Sequence, residues 1–402
     1  MALSLSKIAL SIAPSATLAM DTKAKELIAA GHDVVKFGVG EPDFDTPHFI
    51  REAGKAAIDA GKTRYTAVAG TVELRLEIAK KFKKENGLEY DPMGEIIVSS
   101  GAKPVIFTAL YALLNPGDEV IIPSPCWVSY PEMVQMAGGV PVFAPTSAEK
   151  GFAYTADDIR PYVTEKTKAI IVNSPSNPNG CILDRAALQS IADLAIEKQF
   201  YVISDEIYEK LIYDGEEHVS IASLGDQIKQ QTIVINGVSK TYAMTGWRIG
   251  YAAGPRSIIK VMTSYQSHSA SNPNSIAQDA AAVAIGAGDA PCVSEMVAEF
   301  DKRRLLMHEM VNAIPGLSAK LPKGAFYLMA NIGGVIGKKY KGETITGSEK
   351  FAQLLLESKF VAVVAGKSFG ADDHLRLSYA TSRENIQKGI SRMAEFVSEL
   401  TE

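Results

Sequence analysis

Residues 232–254 read TIVINGVSKTYAMTGWRIGYAAG. The runs at 232–237 and 248–254 are apolar and short, with the length and composition of buried strands. Between them lies a polar loop carrying Lys240, with the hydroxyls of Ser239, Thr241, Tyr242 and Thr245 close by in sequence. Gly237 and Gly246 let backbone come near, and Arg248 adds a permanent, fork-shaped cation. Most lysines are solvated surface groups. One held in a loop between buried strands can instead form a Schiff base with an aldehyde or carbonyl, provided a fraction is deprotonated and its approach is fixed.

The same strand grammar extends upstream. EIIVSS (95–100) leads to a helix at 104–114, DEVIIP (118–123) to a helix near 131–137, and VPVFAP (140–145) follows. KAIIVNSP (168–175), a helix at 184–198 and FYVISD (200–205) continue it. Strands apolar throughout and separated by helices predict an α/β fold, a mainly parallel sheet with helices on both faces. Ligands in such sheets sit at the carboxyl ends of the strands. Nearer the N-terminus the pattern predicts helices at 21–31, 49–60 and 71–86 and a short strand at 34–38. A helix-rich stretch at 275–312 leads into LSAKLP, AFYLMAN, VAVVAG and HLRLSYAT and a helix from Ser382, which is α+β in style. The expected division is a large domain over 48–290 and a smaller one over 291–402, joined by residues 1–47, with a long helix connecting the two.

With 402 residues, 47% hydrophobic and 22% charged, the chain has the composition of an ordinary soluble protein. Its formal net charge of -5 offers no general attraction to nucleic acid or to a membrane surface. Cys126, Cys181 and Cys292 are far apart, without CxxC or histidine pairing, so the expectation is no metal site and a cytoplasmic setting. Residues 1–20 faintly imitate a secretory signal, but Pro14 interrupts the apolar run.

The strand ends carry the remaining chemistry. Gly101-Ala102-Lys103 opens a helix, where backbone N–H groups and the helix dipole favour an anion such as phosphate. NSPSNPNG puts Asn177 in a rigid, proline-bracketed loop, and Asp205 with Tyr208 ends FYVIS. A buried aspartate needs a cation or proton donor, unless it merely caps a helix. Trp127 follows a strand and offers a flat face, and Arg376 sits where strand alternation hides a charge, which implies a carboxylate or phosphate partner. Jointly these are the requirements of pyridoxal 5'-phosphate: a Schiff-base lysine, a carboxylate for the ring nitrogen, a phosphate cradle and donors to the ring oxygen.

The chain resembles the class I aminotransferases of PLP fold type I, in particular the bacterial-type aspartate aminotransferase subgroup. The resemblance runs through PSATLA (14–19), GEPDFDTP (40–47), RYTAVAGTVELR (64–75), WVSYPEM (127–133), SPSNP (174–178), SDEIYE (204–209), SKTYAMTGWRIGYAAGP (239–255), GAFY (324–327) and LRLSYATS (375–382). It implies that Lys240 carries the cofactor and shuttles the proton, that Asp205 pairs with the ring nitrogen, that Asn177 and Tyr208 bind the ring hydroxyl and that Trp127 stacks on the ring. It further implies a phosphate site from Gly101, Ala102, Lys103, Ser239, Arg248 and a partner subunit's Tyr65, in a homodimer with shared active sites. Arg376 would clamp the substrate α-carboxylate, helped by Gly40, Trp127 and Asn177, and Lys103 would meet a second carboxylate. The implied reaction exchanges an amino group between L-aspartate and 2-oxoglutarate.

Three residues depart from the family pattern: Asn179, Cys126 and Pro104 stand where threonine, tyrosine, and histidine or glutamine are usual. Pro104 is expected to bias Lys103 away from helical dihedrals, and Cys126 to alter the pocket wall. Broader specificity including prephenate or aromatic substrates, and a PLP-dependent β-lyase, remain open alternatives. A regulatory sensor domain would need a basic DNA-binding segment, and none is visible.

Overall fold

The computed structural model describes residues 4–14 and 16–402. Residues 1–3 of the signal-like stretch and Ser15 of PSATLA therefore lie outside the described residues.

A seven-stranded sheet forms the larger layer, in the spatial order Ile96–Ser99, Gly250–Ala253, Thr232–Gly237, Tyr201–Asp205, Thr167–Asn173, Glu119–Ser124, Val140–Pro145. All neighbours are parallel except where Gly250–Ala253 runs antiparallel to both Ile96–Ser99 and Thr232–Gly237. Because side chains alternate across a strand, each strand feeds two cores. Ile97, Val120, Ile122, Ile171, Ile203 and Ile235 pack on one face beneath the helices Ala102–Leu113 and Arg256–Ser269. Ile121, Ile170, Val172 and Val202 pack on the other against Arg185–Lys198, and Val98, Val234 and Tyr251 against Val72–Asn86 and Ser275–Ala287. Each such isoleucine or valine, buried at this depth, contributes about 1.5–3 kcal/mol. Asp205 has the parity of Ile203 and so emerges on the face of the Ala102–Leu113 helix; Glu206 emerges on the opposite one.

The 22-residue helix Pro291–Asn312 leaves this layer and packs on an antiparallel sheet, ordered Val364–Ala365, His374–Ser378, Tyr327–Asn331, Ser318–Ala319. The N-terminal strand Val35–Lys36 pairs with Val361–Ala362 beside it.

Several boundaries differ from the sequence reading. The helix expected from Asp21 begins at Ala16 and runs to Ala29, because Asp21 serves inside it, paired with Lys25 and Lys36. The Arg256–Ser269 helix was not expected at all. The 275–312 stretch is two helices, broken at Gly288, whose φ of 57° ends Ser275–Ala287. Among the described residues no single helix is long and apolar enough to cross a membrane.

Candidate active site

A cavity of about 450 Å³ opens at the carboxyl ends of the parallel strands, and residues of both main sheets line it. Eleven of the candidate site residues line it: Gly40, Ala102, Lys103, Trp127, Asn177, Asp205, Tyr208, Ser239, Lys240, Arg248 and Arg376; Gly101 stands just behind Ala102 and does not line it. Tyr65 does not, and at 90% exposure it projects into solvent.

Lys240 stands three residues beyond the Thr232–Gly237 strand and donates from Nζ to the Gly40 carbonyl at 2.5 Å. Its ammonium lies 5.7 Å from the Phe326 ring centroid and 5.9 Å from that of Tyr208. Burial pushes its pKa down to about 8, with Arg248 and Arg376 acting in the same sense and Glu41 opposing. A substantial neutral fraction near physiological pH is what a nucleophilic amine needs.

Asp205 is buried and, among the described residues, has no ion-pair partner. Its Oδ2 accepts from the Tyr130 hydroxyl at 2.7 Å and its Oδ1 from the Ile207 N–H at 3.3 Å. Burial pushes its pKa up to about 6 despite both donors. Asp205 caps no helix, so the carboxylate faces the cavity lacking only a cation.

Next to it in the sheet, Asn173 donates to the Asp205 carbonyl (2.9 Å) and accepts from the Asn177 N–H (2.8 Å), which fixes the proline-bracketed loop. Asn177 Oδ1 accepts from Arg376 Nη1 at 3.0 Å, and Gly38 O accepts from Nη2 at 2.8 Å. Arg376 is 2% exposed, stacks 4.4 Å from the Tyr327 centroid, and its Nε–H has no partner. A buried guanidinium that has no carboxylate and uses only two of its five N–H donors in these bonds is prepared for an anion. Tyr208 and Tyr327 hydroxyls are 3.0 Å apart.

Gly101 precedes the Ala102–Leu113 helix with φ 104°, and a Cβ there would collide with the Arg248 guanidinium. A Cβ on Gly250 would strike the Ala102 backbone. The two glycines thus let Arg248 and the helix N-terminus converge, which concentrates positive potential where a phosphate would sit. Lys103 Nζ lies 4.8 Å over the Trp127 ring; burial lowers its pKa, and Arg248 lowers it further.

The departures behave differently from expectation. Pro104 sits inside the first helical turn together with Lys103, so the proline has not displaced the lysine from helical geometry. Cys126 is buried and does not line the cavity; it borders a separate void of about 20 Å³ behind Tyr130 and Asn177. Asn179 accepts from the Cys181 N–H at 3.0 Å and shapes the turn.

Sequence reasoning missed Tyr130, Asn173 and Tyr327, all of which line the cavity. Tyr130 was detectable, since it stands three positions after Trp127 at a helix start and so shares its face. Residues 32–393 match the family "Aminotransferase class I and II". The chain belongs to the class I and II aminotransferases. It is 46% identical over 396 residues to an aspartate aminotransferase of Geobacillus stearothermophilus, covering 98% of each chain. It is also 46% identical to an aspartate/prephenate aminotransferase of Cereibacter sphaeroides, over 97% of this chain and 98% of the relative. The solved structure of Thermus thermophilus aspartate aminotransferase with maleate superposes with a TM-score of 0.92 at 44% identity, over 98% of this chain and 100% of that one. The aminotransferase fold, fold type I, is accordingly α/β with the mainly parallel sheet described above.

Proposed function

We propose that this aminotransferase uses pyridoxal 5'-phosphate to move an amino group between L-aspartate and 2-oxoglutarate in a two-stage, ping-pong exchange. One observation carries the reading: in a single cavity an amine with pKa lowered to about 8 meets a buried carboxyl that has no cation. The residues fit the cofactor, because Asp205 lacks the partner a ring N–H would be and the Gly101 turn leaves room for a phosphate beside Arg248. Bound there, pyridoxal 5'-phosphate supplies the electron sink for breaking the Cα–H bond of the amino acid.

The protein's own groups do the rest. Lys240 would tether the cofactor and then, as a free amine, take the proton from Cα of the amino donor in the first stage and deliver one to the 2-carbon of the oxo acid in the second. Asp205 holds the ring nitrogen protonated, with Tyr130 keeping the carboxylate ionised and aimed. Tyr208 and Asn177 donate to the ring oxygen, Trp127 covers the ring, and Gly101, Ala102, Ser239 and Arg248 hold the phosphate. Arg376, which lines the cavity, takes the α-carboxylate through its guanidinium, which leaves the Cα–H close to Lys240. Lys103 takes the second carboxylate, a role consistent with the dicarboxylate maleate named with the Thermus relative.

In the same reading the chain divides into a large domain, 48–290, and a small one formed by 1–47 and 291–402. A second copy lends its Tyr65 to the phosphate, and the protein works in the cytoplasm, where its three unpaired cysteines stay reduced.

An activity matrix of amino donors against oxo acids, including prephenate and aromatic substrates, tests the assignment. Aspartate with 2-oxoglutarate should give the highest kcat/KM. Lys103→Ala should lower kcat/KM for aspartate about ten- to a hundredfold, the worth of one charge-assisted hydrogen bond, and leave alanine or phenylalanine nearly unchanged. Release of pyruvate and ammonia from cysteine-type substrates in place of exchange would make the enzyme a β-lyase.

A further inference from the structure

Behind the cavity, the turn that follows Tyr201–Asp205 has a second, opposite set of contacts. Asp205 and Tyr208 line the cavity, whereas Glu206 and Glu209 point into a closed polar chamber. Glu206 Oε1 accepts from Ser204 Oγ at 2.8 Å and Ser220 Oγ at 2.7 Å, and its Oε2 lies 3.0 Å from His218 Nε2. Glu209 is paired with Lys81, accepts from Asn86 Nδ2 at 3.1 Å, and stands 4.0 Å from the same His218 Nε2. Lys81 also donates to Asn86 Oδ1 at 2.7 Å, and Glu85 lies between Lys81 (3.7 Å) and Lys210 (3.2 Å). Tyr90, Tyr242 and Tyr251 are within electrostatic reach of these carboxylates. Glu206, Glu209, Lys81, Ser204 and Ser220 are all buried, and the His218 side chain is only 9% exposed.

Such a chamber does little for stability as such, because well-packed apolar side chains of similar volume are often as stable as buried ion pairs. Its value lies in geometry. Each cavity-facing residue is followed in sequence by an anchored carboxylate: Asp205 by Glu206, Tyr208 by Glu209.

We propose that Glu206, Glu209 and His218 are positioning residues that lock the Asp205–Tyr208 turn from its far side and so set the aim of both cavity-facing groups. The inference rests on the reading given under Proposed function. Charge balance specifies how the lock closes. Lys81 is paired with Glu209, and Lys210 is shared between Glu85 and Asp289, which leaves Glu206 to His218 and favours the imidazolium form. Burial opposes that form, but Glu206 outweighs it and the His218 pKa is raised. Glu206, Glu209 and His218 could alternatively gather a divalent ion, since their ligand atoms lie within 4.8 Å of one another. The Lys81 ammonium already seated on Glu209 argues for the proton.

The test uses the purified holoenzyme and the variants Glu206→Gln, His218→Gln and their combination, with kcat and KM resolved, thermal midpoint, and the pH midpoint of the bound cofactor's visible absorbance. Each single variant should lose about tenfold to a hundredfold in kcat with KM within about threefold, as expected for slight misplacement, and shift the absorbance midpoint. The double variant should be no worse than the worse single one, because the two groups act as a unit. Ser220→Ala removes one donor to Glu206 without changing charge, and serves if a charge variant fails to fold; it should move the midpoint in the same direction by less. An unshifted midpoint with normal kcat in folded variants overturns the inference. So does a loss that follows the melting temperature alone, or a stoichiometric divalent metal whose chelation reproduces the loss. A parent enzyme without transamination removes the functional reading itself, whereas an active parent with unshifted variants removes only this lock.

Discussion

Two buried charged regions meet at one strand end, and they are built to opposite rules. In the cavity, burial pushes Lys240 down to about 8 and Asp205 up to about 6, so both groups drift toward their neutral forms. In the chamber behind it, Glu209 is drawn down to about 2: burial opposes, but Lys81, His218 and Asn86 prevail. The Asp205 carboxyl in the cavity is left without a cation, whereas the Glu206 and Glu209 carboxylates of the chamber are each met by a basic side chain and further donors. Groups awaiting a ligand carry an electrostatic cost in its absence, and the chamber side supplies the rigidity that keeps that cost from relaxing the geometry.

The sharpest way to separate the two regions is Lys240→Ala. Turnover should fall by about 10⁴-fold or more with loss of the amine and its proton transfer, and borohydride reduction of the parent with pyridoxal 5'-phosphate should label Lys240 on peptide mapping. The cofactor-free variant should meanwhile be more stable. With a folded pKa near 8 against an ordinary 10.5, the folded state binds fewer protons than the unfolded one between those values, so the lysine's burden is largest below pH 8. Removing it should stabilise the protein on the order of 1 kcal/mol at pH 7, allowing for water in the open cavity. A variant that is both inactive and less stable would erase the contrast.

Asp205→Asn should cost about 10²–10³-fold in kcat while the protein still binds cofactor, since an amide offers no charge to a protonated ring nitrogen. Near-normal turnover would take Asp205 out of the chemistry.

On the chamber side, Glu209→Gln should lower stability by about 3 kcal/mol at pH 7, the equivalent of a carboxyl moved from 4.5 to about 2. A depressed carboxyl contributes its full stability above the unfolded pKa and loses it as pH falls toward the folded one. The gap between parent and variant in urea unfolding should therefore close between about pH 4.5 and pH 2. A gap of constant size across that window would mean that packing, and not the ion pair, is what the glutamate supplies.

How much of this contrast the residues disclosed beforehand follows from range. Local grammar announced the strands, the Gly101 turn and the Lys240 loop, because apolar runs and glycines are read within ten residues. The antiparallel sense of Gly250–Ala253 was invisible, since a strand buried on both faces has the same composition in either direction. The Arg256–Ser269 helix was obscured by its serine-rich second half. His218 lies in a loop without periodicity, and its link to Glu206 and to Lys81 on the Val72–Asn86 helix exists only in three dimensions. Lys103, Asn177, Asp205 and Lys240 were legible because each ends or closely follows an apolar strand, and Arg376 because it interrupts one, whereas the chamber is assembled from segments that share no pattern.

The smallest expected effect probes the boundary itself. Tyr130 is the one side-chain donor to Asp205 among the described residues, at 2.7 Å, and it favours the ionised carboxyl against burial. Tyr130→Phe removes that bond and leaves the ring stacked edge-on against Trp127, at 5.2 Å in the parent, so packing is nearly conserved. The Asp205 pKa in the cofactor-free protein should then rise above about 6. A carboxyl raised above its unfolded value binds extra protons when folded, so stability falls as pH climbs from about 4 through the folded pKa. In the variant this decline should continue to higher pH and leave it about 1–2 kcal/mol less stable than the parent at pH 7, the worth of one hydrogen bond to a charged group. Turnover should drop about tenfold, with the acidic limb of the pH–rate profile displaced upward, because a larger share of Asp205 is protonated and carries no charge. If both the acidic limb and the unfolding curves stay where they are, Asp205 is held ionised by the turn alone, and the chamber behind it carries more of the catalytic geometry than the cavity wall does.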